Sequence, residues 1–462
     1  MSDLRGYLKK LDENKEIIQI KKEIDRKWEV SAAMKNAGGM AVFCEKVKGS
    51  NIPIVGNVFG NMKKIEIALE CPRKDLLNEY IKRVSTLIPP KVVPSGPVKE
   101  KVFVRNEVDL DKLPIPTINE KDGGPYIDAG IVIIKDPEFG HNLALHRIQV
   151  KGERKAGILA GPSTHLHTYI RRAWEKGQPL EIAIAIGCPP VLYIASQVTG
   201  PLGLDEYEIA GALRGRPIEI VKCETIDVNV PAFAEIVLEG VIPPNQMELE
   251  GPFGEFHGYY TPGKSGATGP VEMPVIEFQA MTLRESPIFQ MIMIGKPPTE
   301  GLYLRALPHE ADLYRIVKEV IPEVKDVYFP PGGCGRYHAV VSIKKRTEGD
   351  GKLALAAMLA SRIGIKLAIV VDDDIDIRDS LDVEWAMATR SQFDKDSIIV
   401  NGTPHVIDPS AVKRDGKTIS KFGIDATRPI ASPYPDVCDV PKEVFESVKR
   451  RWNEYIGGDG SE

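Results

Sequence analysis

The pattern of apolar and polar positions divides the chain into three stretches. The first, residues 1–105, predicts a mixed α/β domain with a short helix from Leu4, a strand near 52–55 and a helix over 73–85. Four prolines and one glycine lie between positions 88 and 97. This composition is typical of a connector between domains or of a long crossing loop.

The second stretch, residues 106–300, consists of short β-branched runs separated by glycine and proline. Runs such as 129–134 and 180–186 lie close together along the chain, and they predict a β-rich, barrel-like domain. One helix interrupts this domain over 163–177, with a serine or threonine as its cap and a glycine at its end.

The third stretch, residues 301–462, alternates between two periodicities. The apolar spacing is helical at 311–320 and 352–362, and it is strand-like at 339–343 and 367–371. This alternation predicts an α/β domain. A final helix over 442–455 would suit docking on a partner subunit.

The composition is that of an ordinary globular protein of about two to three domains. The 462 residues carry 60 basic and 65 acidic side chains, a net charge of −5 without a long basic run. Nothing therefore indicates nucleic acid or a membrane surface as a partner. The chain begins with polar residues and has no apolar run of about 18, so we expect a cytoplasmic protein. Its six cysteines contain no C-x-x-C pair, which is typical of free thiols.

The segment 250–265, Glu-Gly-Pro-Phe-Gly-Glu-Phe-His-Gly-Tyr-Tyr-Thr-Pro-Gly-Lys-Ser, supports two incompatible functions. Its second half satisfies the phosphate-loop pattern G-x-x-x-x-G-K-[ST], with Lys264 as the phosphate-binding lysine. That motif needs a strand before it and a helix after it. Two glycines and one proline within 266–270 oppose a helix, and Pro262 removes an amide from the loop. A nucleotide hydrolase is therefore only a remote alternative.

The first half of the same segment holds two carboxylates, Glu250 and Glu255, in a frame of glycine and proline. Such a pair can divide acid and base roles when one side chain stays protonated and the other stays ionised. Taken alone, however, the spacing favours two solvated loop acids. Arg147 follows an apolar alternation and should be partly buried, so it needs either a structural carboxylate or a substrate carboxylate.

Three other groups of residues could carry chemistry. His165 and His167 lie two apart at the start of a helix and point in different directions, which favours structural or exposed roles. The aspartates at 372–374 and 376 could hold Mg²⁺, but such runs are more typical of a solvated strand end. Cys334 lies in a glycine-rich loop without a base that can be placed, which favours an unreactive thiol.

Taken together, these segments resemble the UbiD family of reversible decarboxylases, which use prenylated FMN. Residues 250–260 are similar to that family's signature E-G-P-[FYM]-G-[DE]-x-x-G-Y, and segments within 221–240, 369–376 and 420–427 match in order. The resemblance implies an N-terminal α/β domain, a central split β-barrel that binds the flavin, and a C-terminal α/β domain with a terminal helix for oligomerisation. The domains would span 1–105, 106–300 and 301–462, in a homodimer or homohexamer.

The resemblance implies that Arg147, Glu250 and Glu255 form the catalytic set. Glu255 would donate a proton to the carbon that lost CO₂, while the other two orient the carboxyl group. Loss of CO₂ leaves an electron pair that no side chain can absorb, so an organic electron sink is required. An apolar pocket would raise the pKa of Glu255 towards neutrality.

The family's metal and cofactor contacts are also carried over by resemblance. Asn142, His165 and Glu206 would bind Mn²⁺ or Mg²⁺, with His167 as an alternative to His165. Ser196 falls where relatives hold K⁺, and Lys421 falls where they contact the flavin phosphate. The implied cofactor-binding residues are Asn142, Leu145, His146, Arg147, His165, Ser196, Glu206 and Lys421. The chain departs from several relatives in the bulky Leu-Ala-Leu-His between Asn142 and Arg147, which would reshape the pocket.

The implied reaction is reversible, non-oxidative decarboxylation of an aromatic or α,β-unsaturated acid, with the cofactor supplied by a flavin prenyltransferase. Hydroxybenzoates, simpler aromatic acids, cinnamate-like acids and a phosphorylated unsaturated acid all remain open as substrates. The main alternative is a non-catalytic subunit that has kept the fold.

Overall fold

Helices and strands alternate through most of the computed structural model, which describes residues 3–263, 266–404, 407–413 and 418–456. The α-helices within these residues are Leu4–Glu13 (α1), Glu29–Asn36 (α2), Met62–Leu69 (α3), Leu76–Val84 (α4), His165–Glu175 (α5), Pro190–Ala195 (α6), Glu206–Arg214 (α7), Glu300–Lys318 (α8), Asp350–Ala360 (α9), Ser380–Arg390 (α10), Lys442–Arg450 (α11) and Trp452–Tyr455 (α12).

The strands of the same residues are Ile17–Ile20 (β1), Ala41–Cys44 (β2), Ile54–Gly56 (β3), Lys91–Val92 (β4), Lys101–Val104 (β5), Tyr126–Ile127 (β6), Ile131–Asp136 (β7), Gly140–Leu145 (β8), Ile148–Gly152 (β9), Lys155–Ile158 (β10), Leu180–Ile186 (β11), Glu219–Lys222 (β12), Asn229–Pro231 (β13), Ile236–Ile242 (β14), Met247–Glu250 (β15), Val271–Leu283 (β16), Phe289–Gln290 (β17), Val324–Tyr328 (β18), His338–Ile343 (β19), Leu367–Asp372 (β20), Ser397–Pro404 (β21) and Thr418–Ala426 (β22).

The largest sheet has ten strands, in the hydrogen-bonded order β6-β9-β10-β16-β14-β11-β7-β8, and β5 and β15 also pair with β16. Strand β11 bonds antiparallel to β7 on one edge and to β14 on the other, and it is buried along almost its whole length. Its apolar run, which only Glu181 near one end interrupts, reflects this position between two strands and two covered faces. The two end strands, β6 and β8, do not pair with each other among the described residues, so the sheet is open. The mixed α/β fold is confirmed, but the split barrel is not.

Besides a three-stranded sheet of the order β13-β12-β4, two smaller sheets are formed mainly by residues before and after those of the largest sheet. The first has the order β1-β2-β3-β17, and the second has the order β18-β19-β20-β22-β21. Apolar side chains of α8 and α9 pack on the second sheet to form one core. Strand β17 comes from the end of the second predicted stretch, yet it pairs with β3. The domain boundaries near 105 and 300 stay a prediction.

Several elements agree with the sequence pattern. The helix over 163–177 is α5, and its cap is Thr164, whose hydroxyl accepts a hydrogen bond from the His167 amide at 3.2 Å. The run at 180–186 is β11. The predicted terminal helix is divided into α11 and α12, which expose Phe445 and Trp452. No helix of the described residues has the length and apolar character needed to cross a membrane.

The helix predicted over 311–320 begins much earlier, at Glu300. Pro308 lies inside it, and a proline in a helix favours a break because it lacks an N–H. The first turn is instead held by the buried carboxylate of Glu300. Its oxygens accept hydrogen bonds from the backbone amides of Asn57 (2.8 Å), Phe59 (3.2 Å) and Met293 (2.8 Å). This carboxylate therefore joins α8 to the N-terminal sheet.

We expect Glu300→Ala to lower the free energy of unfolding by about 2–4 kcal/mol, because it leaves three buried amides without an acceptor. Denaturant unfolding of the purified protein measures this change. The matched control is Glu319→Ala at the exposed far end of the same helix, which should change stability by less than about 0.5 kcal/mol. Equal effects of the two substitutions would contradict the role assigned to Glu300.

Candidate active site

A buried ion-paired cluster joins Arg147 to Glu250 and Glu255. Arg147 lies in the short connection between β8 and β9, and Glu250 is the last residue of β15. The Nε and Nη2 of Arg147 donate to the two oxygens of Glu250 at 3.0 and 2.6 Å. Its Nη1 donates to Glu255 and, at 2.7 Å, to the hydroxyl of Thr261. All three charged side chains are buried, so the interpretation of two solvated loop acids is wrong.

The charges of this cluster do not balance when both acids are ionised. One guanidinium then faces two carboxylates, and this arrangement favours one proton on the pair. Glu250 receives a bidentate fork, the stronger geometry for an ionised carboxylate, whereas Glu255 receives Nη1 alone. Burial raises the pKa of Glu255, although Arg147 acts to lower it. Glu255 is therefore the better carrier of the proton.

Aromatic residues hold the pair of Arg147 and Glu250 in place. The Tyr126 hydroxyl donates to Oε1 of Glu250 at 3.0 Å. The ring of Phe253 lies 4.5 Å from that of Tyr126, and the guanidinium carbon of Arg147 lies 5.1 Å from the Phe253 ring centre. Stacking of this kind keeps an arginine oriented while its donors are engaged. The Phe253 ring on one face of the guanidinium and the Glu250 carboxylate at its edge therefore fix the orientation of Arg147.

A cavity of about 260 Å³ lies against the cluster. Arg147 and Glu255 line it together with Leu145 and His146. Nδ1 of His146 lies 3.0 Å from the carbonyl of Leu159, which accepts a hydrogen bond and so assigns the proton to Nδ1. Burial lowers the pKa of His146 to about 4. The imidazole is therefore neutral, with Nε2 as its unprotonated nitrogen.

The structure brings together the three side chains for which the resemblance implies a metal. The Asn142 amide lies 3.1 Å from Oε1 of Glu206 and 3.5 Å from Nδ1 of His165. The other oxygen of Glu206 accepts from the Leu143 amide at 2.8 Å. In contrast, no hydrogen bond joins the side chain of His167 to Asn142 or Glu206 in the part of the chain described.

This group of side chains fits a hard divalent cation. Burial raises the pKa of Glu206 to about 8 and lowers the pKa of His165, so the imidazole is neutral. The carboxylate of Glu206 has no ion-pair partner among the described residues. A cation would supply that partner, and turning the Asn142 amide would present its oxygen. No three His, Cys, Asp or Glu side chains among the described residues could hold a metal by themselves. A site here therefore needs the asparagine.

The surroundings also fit a flavin. Apolar side chains of Leu145, Ile292 and Leu304 line the cavity, as a flat ring system requires, and so does Thr164. Thr164 caps α5 and is followed directly by His165. The cavity therefore extends from Glu255 towards the start of a helix, where a phosphate is favourably bound.

Five residues of the implied cofactor set are not among the side chains that line the cavity: Asn142, His165 and Glu206 of the metal group, and Ser196 and Lys421. The buried Ser196 donates to the Tyr193 carbonyl at 2.8 Å. Lys421 lies on β22, where its Nζ donates to the Leu359 carbonyl at 2.7 Å. Neither Ser196 nor Lys421 is among the described side chains that line the cavity. Their roles towards K⁺ and phosphate stay predictions.

The remaining candidates have structural surroundings. Asp372 and Asp374 form ion pairs with Arg390 at 2.8 and 2.9 Å, so the strand end is paired rather than simply solvated. Lys264 and Ser265 of the phosphate-loop pattern lie outside the described residues. After them, the described chain passes from 266 into β16 without a helix. The structural context of a phosphate loop is therefore lacking in that part of the chain.

Four side chains at the cavity or its cluster were missed by sequence reasoning: Tyr126, Thr261, Arg305 and Arg336. Tyr126 is 124 residues from its partner Glu250, and no local pattern connects them. Thr261 lies inside the segment 250–265, and Arg336 lies in the glycine-rich loop that drew attention to Cys334. Thr261 and Arg336 could have been found, because their segments already contained candidate residues. Arg305 lies in a helix, and no motif around it indicates a role in the site.

Three family models match nearly the whole chain. The N-terminal domain of 3-octaprenyl-4-hydroxybenzoate carboxy-lyase matches residues 8–84, its Rift-related domain matches 91–297, and its C-terminal domain matches 302–426. Among curated relatives, the anhydromevalonate phosphate decarboxylase of Methanothermobacter thermautotrophicus is 35% identical over 431 residues. That match covers 93% of this chain and 97% of the relative.

Solved structures of UbiD-class enzymes have the same fold. HmfF from Pelotomaculum thermopropionicum in complex with FMN has a TM-score of 0.88 and 40% identity, covering 96% of this chain and 98% of that one. An evolved dimeric form of HmfF in complex with prFMN has a TM-score of 0.85 and 39% identity, covering 96% and 100%. The chain therefore belongs to the UbiD family of decarboxylases.

Proposed function

We propose that this protein catalyses the reversible, non-oxidative decarboxylation of an aromatic or α,β-unsaturated carboxylic acid with prenylated FMN. The observation that carries the proposal is the buried cluster of Arg147, Glu250 and Glu255 at the wall of a cavity. Complexes of HmfF with FMN and prFMN support the flavin. When bound, the prenylated flavin would accept the electron pair that departing CO₂ leaves on carbon.

Arg147 would orient the carboxyl group that is lost. A guanidinium has five N–H donors, and the hydrogen bonds to Glu250, Glu255 and Thr261 use four of them. One N–H on Nη2 is left for the substrate. When Glu255 takes up a proton, its hydrogen bond from Nη1 of Arg147 weakens. That N–H then becomes a second donor for the substrate. Substrate binding and protonation of Glu255 would therefore favour each other.

Glu255 would supply the proton that replaces CO₂. Its carboxyl group lines the cavity, and burial raises its pKa, so the acid form lasts to a higher pH than in a solvated glutamate. After the transfer, the new carboxylate is stabilised by Arg147. Glu250 stays in its bidentate pair and keeps the guanidinium aligned through each cycle.

Asn142, His165 and Glu206 would hold Mn²⁺ or Mg²⁺ beside the flavin phosphate, and a K⁺ site at Ser196 and a phosphate contact from Lys421 belong to the same proposal. The cofactor would come from a flavin prenyltransferase. The dimeric form of a relative supports a homo-oligomer, either a dimer or a hexamer. The name of the archaeal relative favours a phosphorylated unsaturated acid among the possible substrates.

The alternative is a non-catalytic subunit with the same fold. It predicts that protein co-expressed with a flavin prenyltransferase holds no flavin, which an absorbance spectrum and the mass of the released cofactor would reveal. The remote nucleotide hydrolase predicts nucleotide binding that Lys264→Ala abolishes. The complete set of Arg147, Glu250 and Glu255 favours the enzyme, because a binding module does not need all three.

In the flavin-loaded protein, we expect Glu255→Gln to lower kcat by roughly 100-fold to 10,000-fold, because the amide cannot donate the proton. The flavin spectrum should be unchanged. The matched control is Glu248→Gln on β15, whose side chain pairs with Lys155 near the surface, and it should keep full turnover. Turnover of Glu255→Gln near the wild-type rate would exclude Glu255 as the acid.

The pH profile of kcat should fall on its alkaline side. The protonated form of Glu255 is required, so activity is present below its pKa and is lost as the pH rises through it. Because burial raises that pKa, the midpoint should lie above the ordinary glutamate value of about 4.3. Initial rates between about pH 5 and 9 test this expectation. A flat profile over that range would contradict a titrating acid in the chemical step.

Metal content should depend on His165 and Glu206 and not on His167. We expect Glu206→Gln and His165→Ala to lower bound Mn²⁺ by at least roughly 10-fold, because each removes a ligand. Elemental analysis of the flavin-loaded protein measures this loss. His167→Ala is the control from the same helix. Loss of metal in His167→Ala alone would assign the site to the other histidine.

A further inference from the structure

Two arginines line the cavity in addition to Arg147. Arg305 extends from the second turn of α8, and Arg336 lies between the 3-10 turn Pro331–Gly333 and β19. Both side chains line the same cavity as Glu255. The proposed decarboxylation uses only Arg147, so it assigns no role to Arg305 or Arg336.

Neither arginine has a carboxylate partner in the described part of the chain. The guanidinium carbon of Arg305 lies 4.9 Å from the ring centre of Phe256, and no hydrogen bond or ion pair connects Arg305 to any described residue. Nε of Arg336 donates to the Ile363 carbonyl at 2.6 Å, and that bond brings no negative charge. Arg147, in contrast, is bonded to two glutamates.

The carboxyl groups near these arginines do not compensate their charge. Glu255 is the carboxylate that acts on Arg305 at longer range, and it is already bonded to Arg147. Asp128 also lines the cavity, but burial raises its pKa well above the usual value, which favours its neutral form. Burial lowers the pKa of Arg305, and burial and then Arg305 lower the pKa of Arg336 to about 10. Both remain cations at neutral pH, and the cavity keeps a positive excess.

We propose that Arg305 and Arg336 form a binding site for a second anionic group of the substrate, a carboxylate or a phosphate, so that the enzyme acts on acids with two anionic groups. This inference rests on the decarboxylase function proposed above. Arg147 and Glu255 would hold the carboxyl group that leaves, and the arginine pair would hold the group that stays.

The physical reason is the cost of a desolvated cation. A guanidinium taken out of water without an anion loses hydration that nothing replaces, and a bound anion recovers that cost through charge-assisted hydrogen bonds. Phe256 keeps Arg305 in place, and the donors of Arg305 have no hydrogen-bond partner among the described residues. A preformed site of this kind gives selectivity, because an acid without the second charge leaves both cations unpaired.

The test compares the binding of three unreactive acids of similar length to flavin-loaded protein by calorimetry: glutarate, 4-phosphonobutyrate and valerate. We expect at least one of the two dianions to bind roughly 30-fold or more tightly than the monoanion valerate. Arg305→Met and Arg336→Met should each reduce that ratio about 10-fold or more, and Arg305→Lys should restore part of it. Preference for glutarate would identify a carboxylate site, and preference for 4-phosphonobutyrate would identify a phosphate site.

The matched control is Arg171→Met on the exposed face of α5, where Arg171 pairs with Glu175, and it should leave the ratio unchanged. Equal affinity for all three acids, or a ratio that survives in both arginine variants, would overturn the proposed subsite. If Arg305→Met does not fold, the affinity ratios of Arg336→Met and Arg305→Lys test the subsite instead. Binding is measured without turnover, so a protein that prefers dianions and decarboxylates no acid would retain the subsite and lose the proposed function.

Discussion

The site depends on one guanidinium held out of water between two carboxylates. Removing Arg147, Glu250 and Glu255 from solvent costs several kcal/mol for each ion, and the cost is offset only where nearly every donor and acceptor is paired. The bidentate pair with Glu250 and the bond from Tyr126 meet that requirement. Because one positive charge cannot satisfy two carboxylates, the remaining acid, Glu255, favours a proton. The acid chemistry thus follows from an imbalance of charge.

The sheets determine the position of this charged cluster. Arg147 occupies the connection between β8 and β9, and Glu250 ends β15, so both are carried by the ten-stranded sheet. The buried carboxylate of Glu300 fastens α8 to the N-terminal sheet, and α8 brings Arg305 to the same cavity. Chemical groups from three distant parts of the chain therefore meet at fixed positions. A cluster that depends on complete pairing requires this rigidity.

Much of the secondary structure could be predicted from short windows of sequence. Helix α5 has its cap, its periodicity and its final glycine within about fifteen residues, and β11 is an almost entirely apolar run. The start of α8 could not be predicted, because Pro308 signals a break, and that signal is overridden by the hydrogen bonds to Glu300 and by packing of the buried apolar residues of the helix. Strand β17 has two residues, and short windows of sequence do not determine its bounds. Pairing with β3 defines it.

For the site, the sequence alone determined the residue types and the family signature: Arg147, Glu250 and Glu255 as candidates, and Asn142, His165 and Glu206 as a possible ligand set. The tertiary structure decided that Glu250 and Glu255 are buried, that Tyr126 supports one of them, and that Arg305 and Arg336 lack carboxylate partners among the described residues. The physical reason is that burial and pairing depend on side chains more than a hundred positions away. Protonation depends on both, and a local pattern contains neither.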